Sequence, residues 1–192
     1  MDYQALEEHI KDSVMEEQAK LGFRKEVIRL YYPVGMLNNL FGTACDAEEM
    51  QQALAGFTDF AKERLGEVTI THKKDRFCLL LPEETSIYVH EHKKENEFIH
   101  QLVNLIASHE TDMEQVKKLF EQQPFPSVVE QMTGGEFDTV IHFTQGDDRY
   151  YFCFKDEGFH ITYHRFLPAD YKDLGLSHYQ IFFAGRQPCF MP

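Results

Sequence analysis

At Gly66 the spacing of apolar residues changes from three-to-four to two, so helices give way to strands there, and the order in which the two periods recur decides the fold class. Upstream, Tyr3, Leu6, Ile10 and Val14 stand between acids and lysines, with Gly22 as a stop, which predicts an amphipathic helix over roughly 2–21. Asp46 can cap a second helix while Glu49 closes a capping box; Ala47, Met50, Leu54, Phe57 and Ala61 then form the buried stripe, and Gly66 ends it. Between the two helices, VIRLYYPVGMLNNLFG follows no single period and Pro33 interrupts it, so an extended piece and then a short helical turn are expected. Downstream, EVTITHKKDRFCLLLP predicts a hairpin over 67–81, turning at Lys-Asp and closed by Pro82. Helices are expected over 86–122. Phe98, Leu102, Leu105 and Ile106 mark one, and a shorter one begins at Thr111 with Glu114 as its capping partner and ends before Pro124. QQPFPSVVEQMTGG reads as a linker, and EFDTVIHFT, RYYFCFK and FHITYHRF as a three-stranded meander over 136–166.

Helices over about 1–66, a hairpin, more helices and then a meander form the segregated order of an α+β protein. A lone hairpin is marginal in water. It is therefore expected to join the meander in one antiparallel sheet of about five strands, with helices packed on one face and residues 1–192 forming a single domain. A chain of 192 residues can bury roughly two-thirds of the surface its unfolded form exposes, and 17 Phe and 9 Tyr supply a core.

The net charge of −13, from 19 Lys and Arg against 32 Asp and Glu, argues against nucleic acid and anionic membrane as partners over most of the surface. The first residues are acidic where a secretory signal would be basic, and no apolar run approaches the ~20 residues that span a bilayer. Cys45, Cys78, Cys153 and Cys189 are scattered without a C-x-x-C pair, which fits reduced thiols in cytoplasm.

Three stretches concentrate chemistry. YVHEHKKENEFIH brings His90, His92, His100 and a Glu97-x-x-His100 step together, but neither a helix nor a strand completes a metal shell from them, and the same residues make an ordinary solvated face. In the meander, grouping the most apolar residues leaves His142, Tyr151, Cys153, His160, Thr162 and His164 on one face. His142, His160 and His164 are thus a possible metal or small-ligand set, unless a bulge at Gly158 shifts the third strand. LGFRKEVIRLYYP is the best candidate, because Arg24, Lys25 and Arg29 sit together in an acidic chain, and Tyr31 and Tyr32 add hydroxyl donors for a carboxylate or phosphate. Alternatively, those cations pair with the chain's own carboxylates and hold the first helix to the sheet. No nucleophile elbow, phosphate loop or H-E-x-x-H is present, and no metal or cofactor is implied.

The run EEQAKLGFRKEVIRLYYPVGMLNNLFGT, with YVHEH and the later ITYHRF, resembles an uncharacterised bacterial family, a domain of unknown function of about this length found in Gram-positive anaerobes. The resemblance covers nearly the whole chain. It implies a cytoplasmic bacterial protein with one domain and no assigned activity, and its words RKEVIRLYYP and YHRF draw attention to Arg24, Arg29 and Arg165. Two classes of function follow: a non-catalytic binding or regulatory module for an anionic small ligand or acidic partner, or a small metal-dependent or hydrolase-like enzyme built on the meander histidines.

Overall fold

In a computed structural model, which describes residues 1–93, 96–108, 110–132, 135–146 and 148–174, the Asp2 carboxylate accepts from the Ala5 N–H at 3.0 Å and starts helix α1 (Tyr3–Leu21). Leu6, Ile10 and Val14 are buried on it, as their spacing requires. The stretch without a single period resolves into strand β1 (Ile28–Pro33) and helix α2 (Val34–Phe41). Its period of two lasts only six residues, with Leu30 and Tyr32 buried and Arg29 and Tyr31 exposed, before Pro33 turns the chain into the helix. Helix α3 (Ala47–Leu65) opens on the predicted capping box: Asp46 accepts from the Glu48 and Glu49 N–H groups at 2.9 Å, and Glu49 accepts from the Asp46 N–H at 3.0 Å. Gly56 inside α3 costs about 1 kcal/mol against alanine. The Tyr3 ring lies where a Cβ would project, and its hydroxyl donates to the Ala53 carbonyl at 2.9 Å, so the glycine permits α1 and α3 to approach closely.

The hairpin forms from β2 (Thr69–Lys73) and β3 (Arg76–Leu81), followed by helix α4 (Glu83–His92). Its third strand is β1 rather than a strand of the meander. The order is β1-β3-β2, antiparallel, with Leu30 opposite Leu79 and Tyr32 opposite Phe77. Leu30, Tyr32, Phe77, Leu79 and Leu81 are buried on the inner face.

A second sheet replaces the single five-stranded one expected. Helices α5 (Glu97–Ala107) and α6 (Met113–Glu121) precede strands β4 (Ser127–Gln131), β5 (Thr139–Phe143), β6 (Tyr151–Asp156) and β7 (Ile161–Phe166), and helix α7 (Pro168–Leu174) follows. The cap of α6 is Asp112 with Gln115, one residue beyond the predicted Thr111 and Glu114. The stretch read as a linker contains β4, whose backbone pairs with β5 while Val128, Val129, Glu130 and Gln131 stay exposed; a strand that buries so little leaves no hydrophobic signature. Strand order is β4-β5-β6-β7, and the turn at Gly158 does not shift the register, so Cys153 faces His164 and Phe154 faces Tyr163. Phe98 of α5 and Phe120 of α6 meet Phe143 and Phe152 of the sheet, with ring centroids 4.8 to 5.7 Å apart and mostly edge-on. The protein is α+β, with one compact unit within Met1–Glu95 and a second within Asn96–Tyr179.

Among the described residues of the first unit, one carboxylate is buried. Glu7 of α1 is nearly enclosed and accepts from the Arg64 guanidinium of α3 at 2.8 and 3.0 Å, while Lys11 lies 2.5 Å away. Burial alone would raise the Glu7 carboxyl, but hydrogen bonds from Arg64 and Lys11 outweigh it and hold the group below its ordinary 4.5. Glu7→Ala is therefore expected to cost about 2–4 kcal/mol in chemical denaturation. Glu67→Ala, which removes the exposed Lys62–Glu67 pair at 2.9 Å, should leave the midpoint unchanged. Because the folded value is depressed, the Glu7 contribution is present above the unfolded pKa and lost as pH falls through the folded one. Wild type should accordingly lose more stability than Glu7→Ala from pH 4.5 downward, and parallel pH profiles would contradict this.

Candidate functional site

Alternation along β1 sends Arg29 and Tyr31 to the outer face of the three-stranded sheet, and the register sets their neighbours. Arg29 lies across from Leu80 and, beyond it, Thr69; Tyr31 from Cys78 and Thr71; Pro33 from Arg76 and Lys73. The outer face therefore combines Arg29, Arg76 and Lys73 with exposed threonines. Segments 22–33 and 69–81 together contain six Lys or Arg and two Asp or Glu, against 19 and 32 in the whole chain, so this region has the opposite sign from the molecule as a whole. Lys73 and Arg76 were not singled out from the sequence, because they converge with Arg29 only once β1 is known to pair with the hairpin.

Arg24 and Lys25 stand in the segment that feeds β1. Both are exposed, as is Arg29, and none of the three forms an ion pair with a described residue. Some cations elsewhere find carboxylates: Lys20 meets Glu16 at 2.8 Å, Lys93 meets Asp12 at 2.6 Å and Lys155 meets Asp138 at 2.9 Å. Lys118, Arg149 and Lys172 form no ion pair with a described residue either, so it is proximity along one stretch that sets Arg24, Lys25 and Arg29 apart. Leu21, Phe23, Val27 and Tyr31 are also exposed in this stretch, with Phe23 stacked on His90 at 4.1 Å. Tyr31 is 48% exposed. The charge Cys78 would carry as a thiolate, partial burial and a hydrogen bond to Cys78 keep its hydroxyl above the usual range, with Arg29 pulling the other way, so it remains a neutral donor.

The six residues singled out from the sequence do not all gather. Tyr32 points inward, 2% exposed, with its hydroxyl 3.0 Å from His9 Nδ1; burial pushes it far above the usual phenol range, against a hydrogen bond with Ser13. Arg165 belongs to β7 in the other unit, 9% exposed, with its guanidinium 4.5 Å from the Tyr150 ring centre. Arg24, Lys25, Arg29 and Tyr31 remain together on one stretch of chain.

The histidines are engaged separately. His142 stacks on Tyr151 at 4.1 Å, and Tyr151 stacks on Tyr171 of α7, whose hydroxyl donates to Glu130 at 3.1 Å. His160, just before β7, lies 3.0 Å from Glu157, and His164 meets the Phe137 ring edge-on. His92 stacks on Tyr88. Among the described residues no three His, Cys, Asp or Glu side chains converge to hold a metal ion. The Cys153 thiol is pushed up to about 12 by burial, with the Glu130 carboxylate adding to the effect, so it is not a thiolate nucleophile near neutrality.

Residues 3–175 match the family described as "Domain of unknown function, E. rectale Gene description (DUF3877)", and the chain belongs to it. No curated protein and no solved structure matches the chain. No helix among the described residues is long and apolar enough to cross a membrane.

The two adjacent tyrosines should respond differently to loss of the hydroxyl. Tyr32→Phe leaves His9 Nδ1 without that partner in a buried setting and should cost about 1 kcal/mol. Tyr31→Phe, on the outer face, is expected to stay within about 0.5 kcal/mol. Equilibrium urea unfolding of both variants checks the assignment of faces, and the reverse order of effects would contradict it.

Proposed function

We propose that this protein is a non-catalytic cytoplasmic module that captures an anionic small ligand or an acidic partner through Arg24, Lys25, Arg29 and Tyr31. One observation carries the reading: in a chain with a large excess of acid, Arg24, Lys25 and Arg29 are concentrated and exposed on one stretch of the opposite sign, and none of them forms an ion pair with a described carboxylate. The alternative, in which these cations clamp the first helix to the sheet, would require such pairs. A guanidinium offers paired donors to a carboxylate or phosphate, and the Tyr31 hydroxyl adds a neutral one. The histidine-based enzyme draws no support from His142, His160 and His164, whose neighbours are aromatic rings and single carboxylates.

The test separates a ligand site from a structural clamp. Arg24→Ala and Arg29→Ala should leave the thermal midpoint of the free protein unchanged, because neither removes an ion pair with a described residue. Citrate, phosphate or a nucleotide should raise the wild-type midpoint by mass action, with about 2.7 kcal/mol reached at one hundred times Kd, and the two variants should lose that response. Added salt should weaken it, since exposed charges are screened over about 8 Å at physiological ionic strength. Strong destabilisation of the variants with no anion response in wild type would leave the segment as a clamp.

A further inference from the structure

We infer that the acidic occupant of this face is an extended polypeptide segment that joins the sheet along the free edge of β1. The inference rests on the anion-accepting reading above and specifies its partner. Its first support is the phase of the β1–β3 ladder. The Val34 N–H donates to the Asp75 carbonyl at 2.7 Å, one step beyond the Pro33–Arg76 pair. Hydrogen-bonded pairs alternate in an antiparallel ladder, so Tyr32–Phe77, Leu30–Leu79 and Ile28–Leu81 exchange bonds. The hairpin gives the same phase independently. A two-residue turn at Lys74 and Asp75 closes on a bonded Lys73–Arg76 pair, which commits Arg76, Cys78 and Leu80 to β2 and leaves Phe77, Leu79 and Leu81 for β1.

Arg29 and Tyr31 thus direct their N–H and C=O groups away from β3. No other strand among the described residues lies on that side of β1. The same two residues present their side chains on the outer face, so main chain and side chain address one visitor. Pro33, which has no N–H, ends the edge.

The chemistry of the edge selects the visitor. An added strand carries alternate side chains on the outer face, where carboxylates would stand beside Arg29 and Tyr31, with Arg76 on β3 and Lys73 on β2 further across the same face. The residues interleaved with those acids would face the inner side of the sheet, where β-branched ones suit a strand. A second copy would oppose the same cations to themselves, and residues 175–192 of this chain contain Arg186 and no Asp or Glu. Binding of this kind adds a strand to a sheet, with backbone bonds giving affinity and alternate side chains giving selectivity.

Amide hydrogen exchange followed by NMR on the full chain tests it, with the acetylated and amidated hexapeptide Glu-Val-Glu-Val-Glu-Val as the probe and citrate and phosphatidylserine vesicles as comparisons. In the free protein the Leu30 and Tyr32 amides should be protected and those of Arg29 and Tyr31 should exchange rapidly. Saturating peptide should slow the latter two at least tenfold, and Arg29→Glu should weaken peptide binding at least tenfold while leaving Leu30 and Tyr32 protected. Arg29 and Tyr31 amides already protected in the free chain, or peptide binding that leaves them exchanging, would overturn the inference. So would binding to the vesicles but not to the peptide. Arginine-dependent stabilisation by citrate without amide protection by peptide would remove the strand partner and keep the anion site; no response to either would remove both.

Discussion

The alternation within Ile28–Pro33 is the constraint on which the first unit depends. With Leu30 opposite Leu79 and Tyr32 opposite Phe77, apolar side chains of two strands close against the helices, and Arg29 and Tyr31 are consigned to solvent. A slip of one residue would reverse both sets. Exposing Leu30 and Tyr32 would forfeit about 1.5–3 kcal/mol for each side chain, and enclosing Arg29 without a carboxylate would cost several kcal/mol more. The register is therefore fixed by burial alone. The exposure of Arg29 and Tyr31 follows from it, so the fold of this unit and its candidate site share one cause.

Charge is distributed by the same logic. In the first unit, α1 collects cations around its acids: Lys11 joins Glu7 and Glu8, Lys20 joins Glu16, and Lys93 reaches Asp12. Most of these pairs are near solvent and add little to stability; among the described residues the Glu7–Arg64 fork links two helices through an enclosed carboxylate. In the second unit the interior between helices and sheet is aromatic, with Phe98, Phe120, Phe143 and Phe152 meeting edge to face. Neither arrangement draws on Arg24, Lys25 or Arg29. Arg24, Lys25 and Arg29 form no ion pair with a described residue, which is the ground for the binding role proposed above.

Much of this was readable from residue order alone. The capping box at Asp46 and Glu49, the stop at Gly66, the Lys-Asp hairpin turn and the face shared by His142, Tyr151, Cys153 and His164 all rest on local spacing. What escaped is non-local or buries little. β4 is a strand by virtue of its backbone bonds to β5, and Val128 and Val129 remain exposed, so hydrophobic periodicity had nothing to register. The partnership of β1 with the hairpin joins residues about fifty positions apart, and six residues of alternation before a proline are too few to announce it. The site suffered from the same limit. Tyr31 and Tyr32 are equivalent in composition, and only the strand assignment sends one outward and the other to His9. Arg165 drew attention through its sequence surroundings, yet its strand pairs it with Phe152 in a different sheet.

The sign of the charge at the β1 edge is the feature that fold stability leaves unexplained. Edge strands are commonly protected by charged side chains that keep identical molecules from pairing. Here the protection is basic in a molecule of net charge −13, so it repels another copy's basic edge while attracting most other surfaces of its own kind. As a device against self-association alone, an acidic edge would serve better, since it would share the sign of a second copy's net charge. A basic edge is selective instead: screening over about 8 Å at physiological salt limits repulsion from distant acids, so on the proposed reading an acidic segment would respond chiefly to the nearby Arg24, Lys25 and Arg29, with Glu26 among them. On the proposed reading, the arrangement therefore suits a surface that disfavours its own strand and admits an acidic one.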